Sequence, residues 1–265
     1  MLTNKIKSYL LGIALFLLPC AVAQAARIAI VIDDIGYHQR DMDLLNLPGT
    51  LTYSILPHTP YSQRFAFKAS QQGKELLLHV PMESTNDKLL GPGGLTSDMG
   101  RLELQSTLGH ALASLPQVKG VNNHMGSRLT QETEPMRWTM EILKKRGLFF
   151  LDSRTTVQTQ AQHVANLVGV MNISRNVFLD NDLNEEAMLV QLQELKRIAT
   201  QNQFAVAIAH PYPETQSFLM AQLPLLSAQG FKLVPVSQLV ENKYIQLADK
   251  APETPNTVSH LTVTP

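Results

Sequence analysis

The sequence predicts one α/β domain, a barrel of about seven parallel strands, from three observations: apolar β-branched runs, amphipathic segments between them, and titratable residues placed directly behind the runs. The runs are residues 27–32, 51–56, 75–78, 118–122, 148–151, 176–179, 204–209 and 231–234. They are apolar without alternation, which suits parallel strands covered on both faces. An open doubly wound sheet is the alternative.

The segments between the runs carry helix start and stop signals. Residues 62–72 end at Gly73, 133–146 end at Gly147, and 184–203 open on Asn184 followed by Glu185 and Glu186. Two stretches break the alternation. Residues 84–100 contain Gly91-Pro92-Gly93-Gly94 and little periodic hydrophobicity, so a long loop is expected after the third strand. Residues 241–265 are rich in Thr, Pro and charge and are expected to form a disordered tail, which leaves 26–240 for the barrel.

Residues 1–25 read as a cleaved signal peptide. Lys5 and Lys7 precede an apolar run over 9–19 that is too short to cross a hydrocarbon layer of roughly 30 Å. Ala23-Gln24-Ala25 then fits a signal-peptidase site. The expected destination is the periplasm, with no stable membrane anchor after cleavage. Cys20 opens a lipoprotein alternative, but Pro19 is a poor residue to precede it. Cys20 is the one cysteine, so the mature chain is expected to lack disulfides and thiolate ligands, and any metal must be held by His and carboxylates. The chain has 22 basic and 22 acidic residues, and loss of Lys5 and Lys7 leaves 20 against 22. Nothing there points to nucleic acid.

The chemistry collects at the ends of the runs. Asp33 and Asp34 follow the first, His58 the second, His79 with Glu83 the third, His124 the fourth, Asp152 and Arg154 the fifth, Asp180 and Asp182 the sixth, and His210 the seventh. Barrel strands all point one way, so residues past their C-terminal ends converge on one face. Singly, each has an ordinary reading: Asp34 as a cap, His79 as a core histidine, His210 as turn punctuation before Pro211. Collectively they do not, because burying so many unpartnered polar groups is costly. Imidazoles plus a carboxylate, with no thiolate, are the ligands of catalytic Zn²⁺ sites. A serine triad fits poorly: no Gly-x-Ser-x-Gly elbow occurs, and Ser127 in Gly126-Ser127-Arg128 lacks the glycine pair. No dinucleotide fingerprint or Walker loop follows a strand, which argues against nucleotide cofactors.

Five segments together resemble the divergent polysaccharide deacetylases: Ile32-Asp33-Asp34-Ile35-Gly36, His79-Val80-Pro81-Met82-Glu83, Asn123-His124-Met125-Gly126-Ser127, Leu151-Asp152-Ser153-Arg154-Thr155 and Ala209-His210-Pro211. The resemblance covers roughly 26–240 and implies a distorted, NodB-like (β/α) barrel. It implies Asp34 as a metal ligand, Asp33 as the general base toward an attacking water, and His210 as the acid for a departing amine. The mainstream family draws two histidine ligands from one His-x-x-x-His turn, whereas here Glu83 stands four residues after His79. His79 and His124 are therefore expected to complete a divalent metal site, with Zn²⁺ the expected ion and Glu83 an orienting group or extra oxygen ligand. Asp152 and Arg154 are expected to hold His210 or the substrate. The mainstream Arg-x-Pro-Tyr motif is absent, with Arg128 as a candidate substitute. Among aromatic residues placed to stack on sugar, Tyr37 and Tyr212 stand beside site residues; Tyr53 is a further candidate, and Trp138 lies on an apolar helix face.

The expectation is an exported metal-dependent hydrolase that removes N-acetyl groups from an envelope polysaccharide, peptidoglycan being a possible substrate. The alternative is an inactive barrel that binds glycan or a protein partner. Hydrolysis of another ester, amide or phosphoester shares the same ligands.

Overall fold

The computed structural model describes residues 25–249; the leader read at 1–25, save its last residue, and the tail past Asp249 lie outside them. The strands are β1 Arg27–Ile35, β2 Thr52–Ile55, β3 Glu75–Met82, β4 Gly120–Met125, β5 Phe149–Asp152, β6 Asn172–Ser174, β7 Val177–Phe178, β8 Phe204–Ala209 and β9 Lys232–Leu233. The helices are α1 Ser62–Gln71, α2 Arg101–Ser114, α3 Thr133–Arg146, α4 Ala161–Val168, α5 Glu185–Asn202, α6 Pro213–Ala228 and α7 Val236–Asp249. All ladders are parallel, in the order β6-β5-β4-β3-β2-β1-β8-β7, with β9 pairing the start of β1. No ladder joins β6 to β7 among the described residues, so the sheet curls into a half-barrel, the distorted form of the expected barrel.

β1 lies inside the sheet, between β2 and β8, and is apolar on both parities. Ile28, Ile30 and Ile32 face one layer while Ala29 and Val31 face the other. The first layer packs against α1 to α6, through residues such as Phe65, Leu108, Met140, Val164, Leu195 and Phe218. The second carries Leu77, Phe149, Leu151, Val206 and Ile208 and is closed by Val236, Leu239 and Val240 of α7. Gly120 is required there, because a Cβ would meet the Phe149 ring at 2.7 Å. The helix signals hold: α3 stops on left-handed Gly147 with Lys144, Lys145 and Arg146 in its last turn, and Asn184 caps α5 by accepting from the Glu186 N–H at 2.9 Å.

Several expectations need correction. The tail expected from residue 241 begins inside α7, whose apolar residues Val236, Leu239, Val240 and Tyr244 recur at helical spacing across that boundary. Tyr244 packs on the second layer and its hydroxyl accepts from the Asn172 side chain at 2.8 Å. β6 was not among the runs because three residues carry no periodicity. α2, α4, α6 and the first half of α7 are also additions to the sequence reading; in α2 the signal is there, with Leu104, Leu108, Ala111 and Leu112 buried in register. Residues 84–100 are a loop as expected, pinned by buried Leu95, which bridges Met82.

Candidate active site

The inner face of the sheet changes character one pleat above its apolar layer. Val31 is followed on the same parity by Asp33, Leu77 by His79, Leu151 by Ser153 and Ile208 by His210. The β3–β4 register sets His79 beside Asn122, and the β1–β8 register, ending at Ile32 opposite Ala209, brings Asp33 level with His210.

Consecutive Asp33 and Asp34 would point to opposite faces of a regular strand. The β1–β2 register shifts between Ile32 and Ile35, and Asp34 takes φ 59°, a left-handed conformation costly for a residue with a Cβ. Both carboxylates thereby reach His79 Nε2, Asp34 Oδ1 at 3.0 Å and Asp33 Oδ2 at 3.6 Å. Met125 at φ 54° and Arg154 at φ 49° repeat the strain at the exits of β4 and β5.

His79, His124 and Asp34 converge. His124 Nδ1 lies 2.7 Å from Asp34 Oδ1, and the three ligand atoms are all within 4.8 Å of one another. Asp34 Oδ1 is buried, yet neither imidazole contact has hydrogen-bond geometry. Asn122 decides the His79 tautomer. Its Nδ2 donates to Asp33 Oδ1 and Oδ2 at 2.9 and 3.1 Å, so its Oδ1 accepts from the Ser54 hydroxyl and from His79 Nδ1, the latter at 2.9 Å. Nε2 of a neutral His79 then presents a lone pair to a carboxylate oxygen, and that arrangement requires a positive charge between them. A proton or a divalent cation supplies it. Two imidazoles and a carboxylate fit Zn²⁺ or a similar ion and leave coordination positions open.

The electrostatics divide the pair of acids. Burial opposes ionisation of Asp34, but the His124 and His79 imidazoles outweigh it and hold its carboxyl well below the usual carboxylate range. Burial pushes Asp33 up against the opposing pull of His79 and His210. At the exit of the neighbouring strand β8, His210 Nδ1 lies 2.9 Å from Asp180 Oδ1, while Asp180 Oδ2 accepts from the His210 backbone N–H at 2.6 Å and the Thr215 hydroxyl at 2.8 Å. Burial works against protonation of His210, yet the Asp180 carboxylate raises it to about 9.

The structure thus gathers Asp33, Asp34, His79, His124 and His210. It places other candidates elsewhere. The Glu83 carboxylate accepts from the Ser97 N–H at 2.6 Å and pairs with Arg128 at 3.3 Å, so both residues fasten the 84–100 loop, and Glu83 neither orients nor joins the three converging side chains. Asp180, not Asp152 or Arg154, holds His210; Asp152 accepts from the Arg154 N–H and the Thr159 hydroxyl. Tyr212 lies at the rim, its ring 5.9 Å from that of His210, and Tyr37 lies under the loop, where a Cβ on Gly91 would strike its hydroxyl. Tyr53 is core, with its hydroxyl donating to Leu44 O, and exposed His58 lies against Gly93, apart from the cluster. Trp138 packs against the core. Asp180 was visible as a strand-end residue; Asn122 and Ser54 gave no signal, being uncharged residues inside strands.

The comparisons bear on the family and the fold. The profile of the family described as divergent polysaccharide deacetylase matches residues 30–240. The uncharacterized protein YibQ of Escherichia coli is 34% identical over 222 residues, spanning 83% of this chain and 69% of that one. A crystal structure of an uncharacterized Agrobacterium tumefaciens protein superposes with a TM-score of 0.79 at 27% identity, over 83% of this chain and 92% of that one. A structure described as a deacetylase with substrate shares the fold at a TM-score of 0.51 and 12% identity, over 82% and 92%. The chain belongs to the divergent polysaccharide deacetylase family and carries its NodB-like fold.

Proposed function

We propose that this protein is a metal-dependent hydrolase that removes N-acetyl groups from an envelope polysaccharide after export to the periplasm through the leader read at 1–25. The observation that carries the reading is the gathering of the buried Asp33 carboxylate and the Asp180-held His210 with the Asp34–His79–His124 cluster. A divalent cation held by Asp34, His79 and His124, with Zn²⁺ the favoured ion, would polarise the acetamide carbonyl and ease deprotonation of an attacking water. Asp33, kept in place by Asn122 Nδ2, takes that proton on its carboxylate, and its raised proton affinity suits a base. His210, protonated at neutral pH and anchored through Nδ1, gives a proton from Nε2 to the departing amine. Asn122 couples the two sides, since the same amide orients the base and one metal-site imidazole.

The test pairs metal content by plasma mass spectrometry with release of acetate from N-acetylated glycans, peptidoglycan among them. The expectation is about one metal per chain, lost in His124→Ala, while Asp33→Asn keeps the metal and loses about 10²–10⁴-fold in turnover. A protein that takes up no Zn²⁺, Co²⁺ or Ni²⁺, or an Asp33→Asn variant of full activity, refutes the mechanism. One observation favours a second reading, a barrel that binds glycan without turnover. The position where the mainstream family has its second histidine is Glu83, which is occupied with Ser97 and Arg128.

A further inference from the structure

Asp34 is left-handed, and a residue held in such a conformation persists only where its surroundings fix it. The turn that follows it is fixed on every side. Ile35 O accepts from the Leu56 N–H and Gly36 O from the Tyr61 N–H, each at 2.9 Å, so its carbonyls are tied to the chain leaving β2. Gly36 has φ 126°, and a Cβ there would collide with the hydroxyl of buried Thr59. The N–H groups of the turn go to one side chain. Asp41 Oδ2 accepts from the Gly36 N–H at 2.9 Å and from the His38 N–H at 3.2 Å. Among the described residues no other side chain hydrogen-bonds the backbone of 35–38.

Helix capping accounts for half of this arrangement. Asp41 stands in the first turn of the 3₁₀ helix Gln39–Asn46, where an acid commonly accepts from the N–H of the residue before the helix, here His38. The shorter bond reaches past Tyr37 to Gly36, outside the helix and two residues from Asp34. An acid that only starts a helix stays in contact with solvent, whereas Asp41 is 1% exposed. Its Oδ1 is buried without a hydrogen-bond partner among the described residues. Burying a carboxylate is costly, and the two charge-assisted bonds to the turn are what offsets that cost.

We propose that Asp41 is a positioning residue for the metal site: it clasps the turn behind Asp34 and so holds the Asp34 carboxylate where His79 and His124 converge. Asp41 is not itself one of the three converging side chains. The role of Asp34 as a ligand rests on the metal-dependent reading above; the grip of Asp41 on the turn does not.

Zn²⁺ affinity, read by competition with a chromophoric chelator, and the visible absorption of the Co²⁺-loaded protein test this without any turnover. Asp41→Ala is expected to weaken Zn²⁺ binding by about 10–100-fold, as is usual when a group behind a metal ligand is removed, and to change the Co²⁺ spectrum. Asp41→Asn keeps an acceptor oxygen for the two N–H groups, and is expected to restore the spectrum and bring affinity to within about threefold of wild type. Leu143→Ala, a fully buried change in α3, weakens the fold and is expected to leave Zn²⁺ affinity unchanged. Full affinity and an unchanged spectrum in Asp41→Ala overturn the proposal. So does an Asp41→Asn variant as weak as Asp41→Ala, which would assign the effect to charge, or a loss of equal size in Leu143→Ala, which would make affinity a measure of stability. Should Asp41→Ala not fold, Asp41→Glu takes its place, since it keeps the charge and moves the carboxylate by one methylene: affinity lost supports the clasp, affinity kept overturns it. A wild-type protein that binds neither ion ends the metal-dependent reading and the proposal with it, whereas wild-type binding beside an unaffected Asp41→Ala ends the proposal alone.

Discussion

Two layers of the inner face, one pleat apart on the same strands, do opposite things. The lower layer, Ala29, Val31, Leu77, Phe149, Leu151, Val206 and Ile208, is apolar and sealed by α7. The upper layer, Asp33, Ser54, His79, Asn122, Ser153 and His210, is polar and held by hydrogen bonds between strands. The lower layer gains from water exclusion, whereas each upper residue is costly to bury unless a neighbour satisfies it. Strained Asp34 belongs with the upper layer, and a rigid floor is what lets that strain persist.

The sharpest way to break the contrast is to thin the floor. Leu77→Ala is expected to cost about 2–5 kcal/mol in denaturant unfolding, since Leu77 is fully buried against α7 and its neighbours close the hole only in part. A loss under about 1 kcal/mol would show that α7 is a loose cover and not part of the core.

A smaller effect sharpens the upper layer. His210 is raised from its ordinary value of 6.5 to about 9, so its pairing with Asp180 stabilises the fold fully below pH 6.5, and that contribution is lost as pH rises through about 9. The acid needed for the leaving amine disappears over the same interval, so activity should fall on the alkaline side near pH 9. Asp180→Asn is expected to move that limb down toward neutrality, read from a pH–rate profile; an unmoved limb would assign it to another group.

The smallest effect lies at the edge of the floor. Tyr244→Phe removes the hydroxyl that meets Asn172 and is expected to cost about 0.5–1.5 kcal/mol in the same unfolding experiment. No change would place the anchoring of α7 in its apolar contacts and its other polar ones, such as Lys243 Nζ donating to Asn172 O at 3.0 Å.

Much of this was legible beforehand, for identifiable reasons. The runs at 27–32 and 204–209 read as strands because a central parallel strand must be apolar on both faces, and Asp33, His79, His124 and His210 read as a site because charge at strand ends is rarely incidental. Glu83 misled because its spacing from His79 mimics a ligand turn, while the chain turns it toward Ser97. Asp152 misled because two strand-end acids were on offer for His210, and the β7–β8 pairing delivers Asp180.

The sequence by itself determined the parallel α/β class, every strand but β6, the helices α1, α3 and α5, the absence of thiol ligands after residue 20, and the residue types of the site, because these follow from local periodicity and composition. Tertiary structure alone decided that Asp33 and Asp34 reach the same imidazole, that Asn122 sets the His79 tautomer, and that α7 fills the inner face. Each of these depends on register between strands far apart in the chain, which no local pattern encodes.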